Sequence, residues 1–282
     1  MSEITTTAQP ENPTARVQSE AEVRALSREL DWLGRPVQCT GCEHQSLQDA
    51  GGCLRGRACV RDRQSRCVAR FFAANPTLAD AYLAHPYFEV RTAAARLASA
   101  FRLPALLKDP EPDVRAVAAM RLPLSRIGHL RRDPDSRVRL TLAARSSGPC
   151  LLDMLNDNNV YVRITAVRRL PPDRLGPAVS DAEPEVRRWV ARCIEPKLLN
   201  SLVRDGDALV RLQVAERIAA DQLRRFARDP DLRVRFRAAE RMPLADLPLL
   251  AADTDVSVRE LVRSRLGLVA SNKITVVHGT RT

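Results

Sequence analysis

Aromatic residues make up only 4% of this 282-residue sequence, and lysine is nearly missing: Lys108, Lys197 and Lys273 are its three copies, so 42 of the 45 basic side chains are arginine. A GC-rich coding sequence produces such an excess as readily as a function does, so the excess alone decides nothing. Histidine is sparse, and His44, His85, His129 and His278 are too scattered to suggest a catalytic dyad. A Walker loop, a dinucleotide-binding glycine fingerprint and a Gly-x-Ser-x-Gly elbow are all missing, which argues against an enzyme. No run approaches the roughly 18 uninterrupted apolar residues of a membrane span. Met1 to Glu20 lacks the basic-then-apolar pattern of a secretion signal, so a cytoplasmic, reducing location is expected. In that compartment the seven cysteines suit metal ligation or buried thiols better than disulfides.

What the chain does have is positive charge, +11 net, nearly all of it in residues 74–282, where 35 basic side chains face 25 acidic ones. That excess admits nucleic acid, an anionic membrane surface or an acidic protein as partner without choosing among them.

Residues 1–18, with Thr5 to Thr7, Pro10 and Pro13, carry too few apolar groups to pack and read as a mobile arm. Ser19 and Glu22 form a capping box for a helix that sets Val23, Leu26, Leu30 and Leu33 on one face and stops at Gly34 and Pro36. Residues 19–75 make a cysteine-rich domain, 76–266 a repeat region, and 267–282 a frayed polar tail.

The repeat is the strongest signal. Val-Arg pairs stand at 90/91, 114/115, 138/139, 162/163, 186/187, 210/211, 234/235 and 258/259, eight copies at 24-residue steps without slippage. Five residues before each Val stands Asp109, Asp133, Asp157, Asp181, Asp205, Asp229 or Asp253, with His85 in the first copy. Pro follows at 86, 110, 134 and 230, so the pair reads as an N-cap and first helical position. Thirteen residues after the Val come Leu103, Ile127, Leu151, Leu175, Leu199, Leu223 and Leu247, each with another apolar residue three further on. Each unit therefore holds a helix and a shorter 3₁₀ or single-turn segment. On a helical wheel the Arg lies about 100° round from its Val, inside the buried arc, where a charge needs a partner. The recurrent Asp of a neighbouring unit supplies one, making a structural ladder.

A second basic row, Arg121, Arg145, Arg169, Arg217, Arg241 and Arg265, falls seven residues after the Val at the edge of that arc. Its stems can cover the alanine-rich seam, or its heads can form a phosphate-tracking stripe, a candidate binding surface.

The unit Asp-Pro-x-x-x-Val-Arg-x-x-(Ala/Val)-Ala-x-x-Leu, followed by Leu-x-x-Leu, resembles the leucine-rich repeat variant family over residues 76–266. The cysteine-rich region before it is similar to the iron–sulfur domain that precedes such repeats in some members. The resemblance implies an all-α fold, a right-handed solenoid of alternating α and 3₁₀ helices.

Five cysteines, Cys39, Cys42, Cys53, Cys59 and Cys67, lie within 29 residues, among turn-forming glycines and few large apolar side chains. Such a stretch needs a metal staple. A four-thiolate iron–sulfur cluster and a structural zinc site both fit four cysteines, although zinc usually takes two closely spaced pairs and the second spacing here is wide; free thiols are the third alternative. The resemblance favours a [4Fe–4S] cluster. Cys39, Cys42, Cys53 and Cys59 are the chosen ligands because Cys67 falls in a helical segment, Asp62 to Phe72; Cys67 or His44 could replace one of them. Arg55, Arg57, Arg61, Arg63 and Arg66 stand near enough in sequence to balance a cluster's negative charge. Cys150 and Cys193 keep to the repeat period and read as small core residues.

The resulting expectation is a non-enzymatic iron–sulfur protein whose repeats dock a protein partner, with the cluster structural, redox-sensing or electron-transferring. Nucleic-acid binding through the basic rows is the alternative. A DNA-repair glycosylase would need the cluster spacing Cys-x6-Cys-x2-Cys-x5-Cys, which this chain does not have.

Overall fold

The computed structural model describes residues 29–267. The arm over 1–18, the start of the helix expected from Ser19 and nearly all of the tail lie outside them. The end of that helix lies inside and is not helical. Leu30 pairs with Pro36 in an isolated bridge, and Leu33 is 61% exposed. Asp31 Oδ1 accepts the amides of Leu33 (2.9 Å) and Arg35 (2.8 Å), offering the backbone a turn in place of a helix. Among the described residues there is no strand beyond isolated bridges, and no helix is long and apolar enough to cross a membrane.

The chain divides into two compact units after Pro123. The first holds the cysteine loops, the short helix α1 (Ser46–Asp49), α2 (Ser65–Ala74), and the repeat helices α3 (Phe88–Ala95) and α4 (Pro112–Arg121), with 3₁₀ segments at Pro76–Tyr82 and Ala100–Lys108. The second opens with α5 (Leu124–Ile127), followed by α6 (Ser136–Arg145), α7 (Pro149–Met154), α8 (Val160–Arg169), α9 (Pro184–Cys193), α10 (Ala208–Arg217), α11 (Leu232–Arg241) and α12 (Val256–Arg265). Between these run 3₁₀ segments such as Pro196–Leu202 and Ala220–Phe226, so α and mostly 3₁₀ elements alternate as tandem helical repeats.

Repeat helices begin two residues later than Asp-Pro suggests. Asp109 and Pro110 stand outside α4, whose N-cap is Glu111; the caps of α6, α8, α10, α11 and α12 are Asp135, Asn159, Asp207, Asp231 and Asp255. Each of those five side chains accepts a backbone amide of its helix's first turn. The recurrent Asp instead folds the preceding turn: Oδ1 of Asp109, Asp157, Asp205 and Asp229 takes the amide two residues on, at 2.8–2.9 Å.

The ladder then forms between consecutive repeats. Arg91 grips Asp109 through Nε and Nη2, both at 2.7 Å, while its Nη1 donates to the carbonyls of His85 and Pro86. Arg139–Asp157, Arg163–Asp181, Arg187–Asp205, Arg211–Asp229 and Arg235–Asp253 repeat that two-pronged grip, each with a 2.7 Å Nε contact. With four donors satisfied in fixed directions, a guanidinium is tolerated between packed helices. Beneath it Val138, Leu142, Leu175, Val186, Leu199, Val210, Leu223 and Val234 are fully buried or nearly so.

One further repeat hides in the cysteine-rich domain. Asp62 lies three residues before α2, and its Oδ1 accepts the Gln64 amide (2.8 Å) as Asp109 does that of Glu111. The buried Cys67, Val68, Phe71 and Phe72 of α2 match Val90, Arg91, Ala94 and Ala95 of α3, and a 3₁₀ segment follows at Pro76–Tyr82. The step is 23 residues here, not 24. Val68 takes the ladder Arg position and His85 the Asp position that would have met it, so both charges are gone together.

Candidate metal centre

The cysteines lie on loops folded back by short turns. The Cys42 amide bonds to the Cys39 carbonyl (3.1 Å) around Gly41. α1 brings the chain to a reversal in which the Leu47 carbonyl accepts the amides of Gly52 (2.9 Å) and Cys53 (3.2 Å). Leu54 and Ala58 then exchange two 2.7 Å backbone bonds in a tight turn that requires Gly56 at φ +69°, returning Cys59 to Cys53. Asn75 Nδ2 donates to the carbonyls of Gly52 (2.7 Å) and Phe71 (2.8 Å), tying these loops to the end of α2. A Cβ at Gly52 would stand 2.7 Å from Asn75 Oδ1, which makes that position glycine's.

Cys53 and Cys59 are buried; Cys39 and Cys42 are half-buried. Burial, followed by the charges of Cys59, Cys42 and Cys39, pushes the Cys53 thiol up to about 12, which puts those three cysteines within electrostatic reach of Cys53. Burial raises Cys59 as well, while hydrogen bonds from the backbone amides of Arg61 and Asp62 pull toward its thiolate. Among the described residues no three Cys, His, Asp or Glu groups converge as they would on a single ion.

Cys67 stands apart. Its thiol donates to the Gly56 carbonyl (3.5 Å), burial raises it, and the charged groups bearing on it are Asp62 and Arg66. It occupies the place of a repeat valine, which explains its burial without a ligand role. His44 is also engaged, hydrogen-bonded to the Tyr82 hydroxyl with its ring 5.0 Å from Phe71. Trp32, Phe71, Phe72, Tyr82, Tyr87 and His85 continue this ring cluster, concentrating much of an aromatic-poor chain beside the thiols. Of the nearby arginines, Arg55 pairs with Glu29 (2.8 Å) and Arg66 bonds Gln64 (3.0 Å).

In the second arginine row Arg121, Arg169, Arg217, Arg241 and Arg265 turn inward, contrary to a phosphate-tracking stripe. Arg121 donates to the carbonyls of Ala95 and Ala98, Arg169 to Ser146, Arg217 to Ala191 and Ile194, Arg241 to Ala215 and Ile218, and Arg265 to Ala239 and Met242. These carbonyls end the preceding repeat's helix and lack intrahelical partners, so the heads serve as C-caps. Cys193 replaces Arg in this row and is half-buried, as is Cys150; neither is the core residue its period suggests.

Tandem helical repeats preceded by a cysteine-rich domain define a repeat scaffold with a candidate metal site. Residues 29–81 match the family described as the LRV protein FeS4 cluster. A solved structure described as a leucine-rich repeat variant with a novel repetitive protein structural motif is 36% identical, covering 82% of this chain and 99% of that one, with a TM-score of 0.78. The chain belongs to the leucine-rich repeat variant family. It is also 51% identical over 80 residues to the Rhodobacter capsulatus protein described as "Uncharacterized 27.7 kDa protein in nifB 3'region"; the match spans 28% of this chain and a third (33%) of that relative's length.

Proposed function

We propose that this chain is a non-enzymatic, cytoplasmic iron–sulfur protein in which Cys39, Cys42, Cys53 and Cys59 bind a [4Fe–4S] cluster and the repeats offer a docking surface to a protein partner. One observation supports the ligand choice: Cys39, Cys42 and Cys59 all lie close enough to act on Cys53, while Cys67 is taken up as a repeat core residue. Four soft thiols suit iron–sulfur chemistry, and the bound group would supply a one-electron centre or a structural staple. A zinc ion would draw four sulfurs to about 2.3 Å from one point, whereas a cluster holds them at its periphery. The Arg61 and Asp62 amides would hydrogen-bond its sulfur ligand Cys59, and the aromatic cluster would limit water.

The test is iron and acid-labile sulfide in protein purified without oxygen. Wild type and Cys67→Ala should each hold about four irons per chain, and Cys42→Ala should lose them. Loss in Cys67→Ala with retention in Cys42→Ala would overturn the assignment.

A further inference from the structure

Grooves open where the loops entering consecutive repeats face each other, and they differ in charge. One, of about 690 Å³, lies between the segments Pro196–Leu202 and Ala220–Phe226 and is lined by Arg204, Arg225 and Arg228. Its two carboxylates are already spent on the ladder, Asp205 on Arg187 and Asp229 on Arg211. Arg225 is held by a 2.7 Å bond from Nη1 to Asn200 Oδ1, a neutral partner. Arg204 and Arg228 are exposed and, among the described residues, have no ion pair. Three cations thus line a concave surface with no free anion to answer them.

Two other grooves of this unit carry less of this charge at the matching positions. In the equivalent groove of about 670 Å³ three repeats earlier, Arg132 remains beside Arg131, but Asp153 and Asn156 replace the other two; in the next, the set is Asn156, Pro177 and Ser180. Of these three grooves, the one at Arg204, Arg225 and Arg228 carries the largest excess of arginine over carboxylate. Nucleic acid binding calls for a basic track that follows successive phosphates, and the row that could have made one is turned inward. A single pocket of arginines suits a short acidic motif, with guanidinium forks matched to carboxylates.

Building on the scaffold reading, we infer that the groove lined by Arg204, Arg225 and Arg228 is the docking site for an acidic segment of the protein partner. Steering toward it weakens as salt screens the charges.

The test uses cluster-intact full-length protein and a fluorescein-labelled decapeptide of alternating aspartate and glycine, read by anisotropy. A single-stranded DNA oligonucleotide of the same net charge runs alongside. Wild type should bind the peptide in preference to the oligonucleotide. The triple variant Arg204→Glu, Arg225→Glu, Arg228→Glu should lose about tenfold or more in peptide affinity, and Arg131→Glu with Arg132→Glu should change little. Arg→Gln versions of the same three provide a milder set should charge reversal impair folding, which circular dichroism reads. No peptide binding, equal loss in both charge reversals, or tighter oligonucleotide binding lost in the triple variant would overturn the inference. A native partner that still binds the triple variant would overturn this groove alone and leave the scaffold reading standing; a preparation without iron would instead sink the cluster reading.

Discussion

Arg211 and Asp229 are 9% and 8% exposed, and neither charge is tolerable there alone. Arg211→Met should therefore destabilise the protein by about 3–5 kcal/mol, most of it the penalty of a stranded Asp229. Pairing it with Asp229→Asn should recover part of that loss in a denaturation double-mutant cycle. The same carboxylates set an acid limit. Burial opposes ionisation of Asp157 and Asp205, but hydrogen bonds from Arg139 and Arg187, and from the amides of Asn159 and Asp207, outweigh it and hold both carboxyls below their ordinary range. For Asp253 the Arg235 hydrogen bond is the leading cause in the same direction. A depressed folded pKa means that the unfolded chain takes up protons first on acidification. The ladder's contribution should be complete above an unfolded carboxyl pKa of about 3.9 and vanish as pH falls through the lower folded values. Thermal unfolding from pH 6 to pH 2 should show Tm falling steeply only below about pH 4; a flat profile there would contradict the ladder's weight.

At the scale of the element, the period and the two-helix unit were legible because eight in-register Val-Arg pairs leave no other reading. The helix starts were misplaced by two residues because Asp-Pro imitates a cap, while the true caps vary among Asp, Asn, Glu and Tyr. Asp207 accepts the amides of Leu209 (2.8 Å) and Val210 (3.1 Å), so Asp207→Ala should cost about 0.5–2 kcal/mol in chemical denaturation. Leu223→Ala, at a fully buried 3₁₀ position, should cost about 2–5 kcal/mol. The repeat containing α2 escaped sequence reading because Cys67 and Val68 replace Val-Arg and the step shortens by one residue. The inward turn of the second arginine row was only half legible: a wheel puts the stem at the edge of the core, but the carbonyls that receive the head belong to the preceding repeat.

For the molecule as a whole, stability is divided unequally. Repeats bury valine, leucine and alanine in every unit, whereas the stretch 37–60 buries only Val37, Cys53, Ala58, Cys59 and Val60. On the proposed function, loss of the cluster should unfold those loops and leave the repeats helical. Far-ultraviolet circular dichroism after chelation under oxidising conditions should keep most of its amplitude, while proteolysis opens within residues 37–60. The cysteine count and spacing made a cysteine-rich domain legible, and a helical segment over Asp62 to Phe72 was reason to leave Cys67 out of the proposed ligands; that Cys67 takes the place of a repeat valine was legible only in space. The most direct measurement is iron K-edge X-ray absorption on the anaerobically purified full-length chain. An all-sulfur inner shell with neighbouring iron beyond it is the predicted result; a preparation holding zinc in a mononuclear sulfur shell would contradict the account.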